Sequence, residues 1–323
     1  MNSAPADGNW PMERDPAENA HAAPSPAELA DLVRGYSIEV SPHEGLDAAR
    51  LASLLGAGRT VYVTALPGRG FDFNLPAAGM LARAGLKPVP HLAARRVPSR
   101  AALADYLARA RDEAGCDDLL LVAGDERRAL GPYPGAAAVL ETGLLPQFGI
   151  RRVGLAAYPG GHPLLDAAGL RAALERKTAL ARESGLEARI VTQFSFEPAR
   201  IVAFLGALEA TGTALPVHVG LAGLAPARTL LKFARRCGVG ASLKMLRAHG
   251  RELLNLLTLS APDAALLQLA AERRRSRGAR PAGIHFFPFG GVERTARWAE
   301  AVARGAVEID RDGAGFAVRD EIG

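Results

Sequence analysis

The chain is poor in cysteine, in aromatic residues and in long apolar runs. Cys116 and Cys237 are its only cysteines. They stand far apart and form no CxxC, which excludes a disulfide framework and a thiolate zinc centre and suits a reducing cytoplasm. No run of about 18 apolar residues occurs, so no membrane span is expected. The N-terminus lacks the basic start and apolar core of a signal peptide, and a cytoplasmic protein with no membrane partner is expected. Aromatics make up 6% of the residues and do not interleave with the one dense basic cluster, Arg273-Arg274-Arg275 with Arg277 and Arg280 nearby. That cluster reads as a solvated helix end, where cations suit the dipole, so no nucleic-acid partner is expected. The net charge of +5 is a small excess of 39 basic over 34 acidic residues and is compatible with weak attraction for anionic ligands. No GxGxxG follows the first strand, and no GxxxxGK[ST], HExxH or nucleophile elbow occurs. The histidines and carboxylates show no close ligand spacing, so no metal is expected.

What is present is 323 residues with 49% apolar content, enough to bury a full core. Residues 1–30 carry no periodicity and read as a disordered tail. The β-branched, turn-bounded runs predict strands near 36–40, 60–64, 88–92, 118–122, 152–156, 189–192, 216–219 and 283–287. Helical periodicity fills the intervals, including one helix over 136–145. Three helical stretches, near 225–236, 241–256 and 261–273, separate the last two strands. A final helix covers 292–303, and 309–323 reads as a peripheral tail. Eight alternating strands and helices over 31–308 predict a single (β/α)₈ TIM barrel, an α/β fold, with extra helices between strands seven and eight. An open doubly wound sheet is the other arrangement with this element order.

In such a barrel, chemistry sits at the C-terminal ends of the strands. Glu39, Thr64, His91, Asp125, Tyr158 with His162, and Gln193 stand there. Glu39 lies between Ile38 and Val40, and a carboxylate in an apolar strand is costly unless solvated or paired. Burial would raise its pKa and make it a usable general acid; a salt-bridged wall residue is the plainer alternative. Asp125 follows Gly124, which would permit close approach of a ligand, or the pair could form a simple turn. His91 could be a core histidine bonded to a carbonyl. Gln193, flanked by Phe194 and Phe196, could read a heterocycle edge by donating and accepting at once, or cap a local turn.

Several pieces in this order resemble the methylenetetrahydrofolate reductases, flavin-dependent barrels. They are Glu39-Val-Ser-Pro42, Pro90-His91-Leu92, Gly124-Asp125, Tyr158-Pro-Gly-Gly-His162-Pro163, Lys177, Thr192-Gln193-Phe194-Ser-Phe196 and Ile284-His285-Phe286. The resemblance implies an oxidoreductase of one-carbon metabolism acting on CH–NH donors. Hydride would pass from NADH or NADPH through FAD to 5,10-methylenetetrahydrofolate, giving 5-methyltetrahydrofolate. It implies Glu39 as the acid that opens the folate ring, and Asp125 near both flavin and pterin. Gln193 and Phe194 would lie on the folate substrate. Thr64, His91, Gly124, Asp125, Tyr158, His162 and Lys177 would contact FAD, and a homo-oligomer is implied. The chain departs from the family at Ala123, Gly160, Leu170, Ala173, the Ala225-Pro-Ala227 region and Pro288-Phe289-Gly290-Gly291. These departures weaken the nucleotide end of the flavin site. A flavin-independent or non-catalytic folate-binding relative, acting in a complex, is the alternative.

Overall fold

A computed structural model describes residues 23–43, 46–236, 259–276 and 280–319. Its barrel strands are β1 (Ser37–Val40), β2 (Thr60–Val63), β3 (Lys87–Ala93), β4 (Asp118–Val122), β5 (Arg152–Ala157), β6 (Glu187–Thr192), β7 (Val217–Ala222) and, eighth in the barrel, β10 (Gly283–Phe287). They close in the order β1-β10-β7-β6-β5-β4-β3-β2. Two short pairs stand outside the barrel: β8 (Ala225–Pro226) with β9 (Leu259–Ser260), and β11 (Val307–Ile309) with β12 (Phe316–Val318). The barrel expected from the sequence is thus present, and every barrel strand begins and ends within about three residues of its expected place.

The chain resolves into two compact units, one of Ser37–Ala156 with Ala173–Val191, the other of the residues up to Tyr36, Ala157–Ala172 and Thr192 onward. In the first unit, parallel registers Glu39↔Tyr62, Tyr62↔Val89 and His91↔Leu120 tie β1 to β4. Period-2 alternation turns Ile38, Val40, Val61 and Val63 to one face and Glu39 and Tyr62 to the other. Tyr62, Val89, Leu120 and Val191 pack as one cluster, one residue from each of four strands. Below them Arg189 meets Asp118 at 3.0 Å and donates to the Tyr62 hydroxyl at 2.7 Å. The guanidinium also lies over the Tyr62 ring. Gly154 makes room here, since a Cβ would stand 2.7 Å from the Leu120 side chain. Helices α2 (Ala48–Leu55), α3 (Leu75–Arg83) and α4 (Arg100–Ala114) cover the strands of this unit, capped at their starts by Asp47 and Ser99 for α2 and α4.

The one helix expected over 136–145 is instead two, α5 (Ala136–Leu140) and α6 (Leu144–Gln147). Gly143 between them takes the left-handed conformation (φ 66°), which ends the first helix. Helix α7 (Ala167–Glu183) follows β5, and α8 (Pro198–Ala210) follows β6.

In the second unit, the tail expected over 1–30 ends sooner than that. Ser25 and Glu28 form a capping box that starts helix α1 (Pro26–Val33), which packs on the last barrel helix. The C-terminal stretch beyond 308 also carries structure, since β11 and β12 pair and Phe316 stacks on Trp298 at 5.9 Å. Between β7 and β10 lie α9 (Ala227–Arg236) and α10 (Asp263–Arg275); the middle helical stretch expected there, 241–256, falls outside the described residues. Helix α11 (Val292–Ala303) closes the fold. The arginine cluster is not simply solvated. Arg273 pairs with Asp31, Arg274 with Glu28, and Arg275 with Glu209 and Glu272.

Truncating one partner of a buried ion pair leaves the other charge uncompensated, at about 3–5 kcal/mol. Arg189→Leu is expected to lower stability by about that much in a denaturant melt. Adding Asp118→Leu to it should restore most of the loss. A double variant as unstable as the single one would show that volume, not charge, is what Arg189 supplies.

Candidate functional site

Glu39 is the third residue of β1, and its side chain is 16% exposed. Its neighbour is His91, whose Nε2 lies 3.5 Å from Glu39 Oε2 and whose side chain is 11% exposed. Burial pushes the Glu39 carboxyl above its ordinary 4.5, and a charge on His91 opposes that push. The carboxyl therefore holds its proton to higher pH than a free glutamate, which is the property a general acid needs. His91 sits edge-on to Tyr62, with ring centroids 6.0 Å apart. Desolvation raises the Tyr62 phenol to about 12, so it stays neutral.

The backbone that carries His91 is fixed by a residue the sequence reading did not single out. Asn74, fully buried at the start of α3, donates its amide to the Val63 and His91 carbonyls at 3.2 and 2.9 Å. Tyr106 from α4 donates to the Asn74 carbonyl oxygen at 3.3 Å. An amide can link two adjacent strand ends in this way because it carries two donors and an acceptor. Asn74 directly precedes Leu75-Pro76, a helix-start signal that hid its bridging role.

Thr64 follows β2, and its hydroxyl is buried with no hydrogen-bond partner among the described residues. Asp125 is exposed on the loop after β4 and makes no ion pair among the described residues. The carboxylate that this loop buries is its neighbour Glu126. Arg96, itself buried, donates to Glu126 Oε1 and to the Leu66 carbonyl. Arg95 donates to the Glu126 and Pro134 carbonyls at 3.1 and 2.8 Å. Gly124 is held by this arrangement, with φ +98° and a hypothetical Cβ only 2.8 Å from Glu126 Oε2. Its glycine is accounted for by the loop itself.

Lys177 lies on the stripe of α7 shared with the buried Leu174 and Ala181. Its ammonium donates to the Ala156 carbonyl at the end of β5, 2.6 Å away. Burial pulls its pKa down to about 8. A flavin dinucleotide would need cations offered to its diphosphate. The one lysine among the residues expected to hold FAD is instead turned into a helix–strand contact. On that observation the set Thr64, His91, Gly124, Tyr158, His162 and Lys177 does not fit a firmly held FAD.

In the second unit, Tyr158 and His162 share one turn after β5. Their rings meet edge to face at 4.8 Å, and His162 Nδ1 accepts from the Leu164 amide at 3.2 Å. Gln193 follows β6, half-buried. Its amide N–H donates to the Ala157 carbonyl at 2.8 Å, and its side-chain oxygen accepts from the Phe194 amide at 3.1 Å. The turn-capping role weighed from the sequence is therefore present. It occupies only the oxygen, and the side-chain NH₂ has no partner among the described residues. Thr192 Oγ1 accepts from the Gly220 amide at 2.8 Å. Gly220 is obligatory there, because a Cβ would stand 2.2 Å from the Thr192 carbonyl and 2.8 Å from the Phe287 ring.

Phe194 is fully buried, and three half-buried phenylalanines surround it. Phe196 lies 5.5 Å away, Phe287 5.5 Å and Phe289 5.0 Å between ring centroids. Phe233 from α9 stacks on Phe289 at 4.5 Å. Phe289 has φ +48°, the only positive value at a non-glycine described residue. Such a conformation costs about 1–3 kcal/mol and is held only when its surroundings over-determine it. From the sequence the loop after Phe287 belongs at the site-bearing face and Pro288-Phe289-Gly290-Gly291 counts as a departure, but nothing there singles out the aromatic.

No known family profile matches the chain. Among solved structures, an uncharacterized protein from Clostridium thermocellum that binds two copies of 5-methyl-5,6,7,8-tetrahydrofolic acid is similar. It has 12% identity and a TM-score of 0.50, over 83% of this chain and 93% of that one. A xylose isomerase domain-containing protein from Salmonella typhimurium aligns over 84% of this chain and 96% of its own, with 15% identity and a TM-score of 0.47. A putative deoxyribose-phosphate aldolase from Toxoplasma gondii aligns over 85% and 96%, with 10% identity and a TM-score of 0.40. At 12% identity the Clostridium thermocellum likeness shows the barrel fold alone. No described helix is long and apolar enough to cross a membrane.

The raised carboxyl at Glu39 sets a sign for stability. The native state keeps that proton to higher pH than the unfolded chain, so native stability falls as pH rises from the ordinary 4.5 through the native value. Glu39→Gln removes the titration. Its melting temperature is expected to exceed the parent's at neutral pH, and the two should converge as pH drops below about 4.5. A variant melting below the parent at every pH would show that the carboxyl is a structural partner rather than a strained acid.

Proposed function

We propose that this barrel binds a reduced folate and reduces 5,10-methylenetetrahydrofolate to 5-methyltetrahydrofolate, with hydride supplied by NADH or NADPH. The observation that carries the reading is the largely buried Glu39 beside His91, its carboxyl pushed above the ordinary value by burial. The sequence resemblance and the tetrahydrofolate ligand of the Clostridium thermocellum barrel support it. The methylene bridge of the substrate cannot accept hydride until its ring opens. Glu39 donates its proton to N10 as the C–N10 bond breaks, leaving an N5 iminium. The hydride of the reduced nicotinamide adds to the methylene carbon, giving the N5-methyl product and the oxidised nicotinamide. The new Glu39 carboxylate is steadied by His91, 3.5 Å away. Asp125, exposed and with no ion pair among the described residues, is available to the pterin amino group.

FAD, implied by the family resemblance, would relay the hydride where bound. Because Lys177 is committed to Ala156, no step is assigned to it, and direct transfer from the nicotinamide is the form proposed here. A visible spectrum of the purified protein after incubation with FAD and desalting tests this form. No retained flavin, together with folate-dependent oxidation of the nicotinamide, is the expected result. A retained flavin bleached by the nicotinamide would restore the relay.

General acid catalysis supplies about a hundredfold or more. Glu39→Gln is therefore expected to keep folate affinity within a few fold and to lose at least about a hundredfold in turnover. Near-parental turnover would remove Glu39 from the reaction. Folate binding without turnover under any hydride donor in the parent would favour a non-catalytic folate-binding subunit.

A further inference from the structure

The reduction consumes a proton at every turnover, and Glu39 is the group that gives it up. The acid must be recharged before it can act again, inside a wall that shields it. Glu39 Oε2 is buried, and so is His91 Nε2, the atom it faces at 3.5 Å. The other ionisable groups on this face of the strands are committed elsewhere. Desolvation pushes the Tyr62 phenol on β2 up to about 12, so it stays neutral. Asp118 on β4 is taken by Arg189 on β6 at 3.0 Å and by Arg152 on β5 at 3.4 Å. A guanidinium does not release its proton in a protein.

An imidazole differs from all of these. It ordinarily changes charge between about pH 5 and 8, and its two nitrogens let it take a proton on one side and release it on the other. His91 is also well placed. Asn74 holds its carbonyl at 2.9 Å, and the Tyr62 ring meets the imidazole edge-on at 6.0 Å. Its side chain keeps 11% of its surface exposed, so it reaches solvent while Nε2 faces the carboxyl. A gap of 3.5 Å is long for proton transfer. Once Glu39 is a carboxylate, an imidazolium opposite it is drawn closer by their charges, and acid–base contacts that are long in an empty site tighten in the complex. Every group named here lies in the unit of Ser37–Ala156 with Ala173–Val191.

We propose that His91 returns the proton to Glu39 after each turnover. The Nε2–H bond of the imidazolium breaks as a new O–H bond forms on Glu39, and the neutral imidazole then takes its next proton from solvent. Protons and charge balance, because one solvent proton enters for each proton left on N10. This rests on the folate reading above and goes beyond it, since it governs the second and later turnovers rather than the first.

The test is stopped-flow mixing of the full-length parent and His91→Ala with excess 5,10-methylenetetrahydrofolate and reduced nicotinamide, at a pH where Glu39 starts protonated. The variant is expected to complete one turnover per site within about tenfold of the parent's rate, and then to slow by about a hundredfold or more. That first turnover also reports whether the variant is folded. Free imidazole in the buffer should restore the later turnovers and leave the first unchanged. Equal loss in first and later turnovers with no rescue by imidazole, or no loss in either, would overturn the route. A second measurement needs no folate and decides the matter if the parent turns none over. After a laser-triggered drop in pH, the infrared carboxyl band that Glu39→Gln removes should return about tenfold more slowly in His91→Ala than in the parent, with imidazole restoring the rate. If the parent shows no turnover but this delay is present, the route stands and the folate reading falls. If turnover and delay are both absent, both fall.

Discussion

A charged group placed in the wall of a barrel must be paired, neutral or used, because the interior solvates it poorly. Asp118 and Glu39, both in one unit, meet this constraint differently. Asp118 has a rigid guanidinium in Arg189, a second cation in Arg152 at 3.4 Å and a neutral phenol alongside. Desolvation still pushes its carboxyl upward, but two cations oppose that push. Glu39 instead faces a histidine at 3.5 Å, and burial pushes its carboxyl upward. The first arrangement ties β4 to β6 and β2. The second leaves a carboxyl that holds its proton to higher pH than a free glutamate.

The contrast explains why the same element can be structural at one end and chemical at the other. Along β3, Val89 fills the shared cluster and His91, two residues on, faces the acid. Asn74 holds the carbonyl of that same His91 from outside the strand pair. The site thus rests on a buried amide bridge rather than on a loop, which fixes the backbone that carries the histidine. The loop after β4 is secured in a similar way by Arg95 and Arg96 through backbone carbonyls and Glu126, with Asp125 exposed at its tip.

Much of the fold was legible because β-branched runs bounded by glycine and proline specify strands locally, and β4 and β10 fall where the pattern puts them. The break between α5 and α6 was not legible, since it depends on one glycine adopting a left-handed conformation. The early end of the tail was readable in principle, because Ser25 and Glu28 have capping-box spacing. Within the site, Glu39 announced itself as a charge in an apolar strand. Lys177 misled, because its sequence neighbours do not reveal that α7 turns it toward Ala156. Gln193 takes the turn reading with its oxygen, and its NH₂ has no partner among the described residues. Phe289 could not be read at all, because a backbone dihedral has no letter in the sequence.

The segment after β7, Ala225-Pro226, carries no ring, yet β10 runs parallel to β7 with Phe287 paired to Ala222. A residue two beyond that pair can therefore present a ring beside the bare segment, provided the backbone turns back sharply after the strand. Pro288 and the two glycines permit that turn, and Phe289 accepts the strained dihedral it imposes. Packing ties this ring to its neighbours, since Phe289 and Phe196 both lie against the small core of Ala222, Ala225 and Leu230. The small residues after β7 are then what makes room for a ring from the turn after β10.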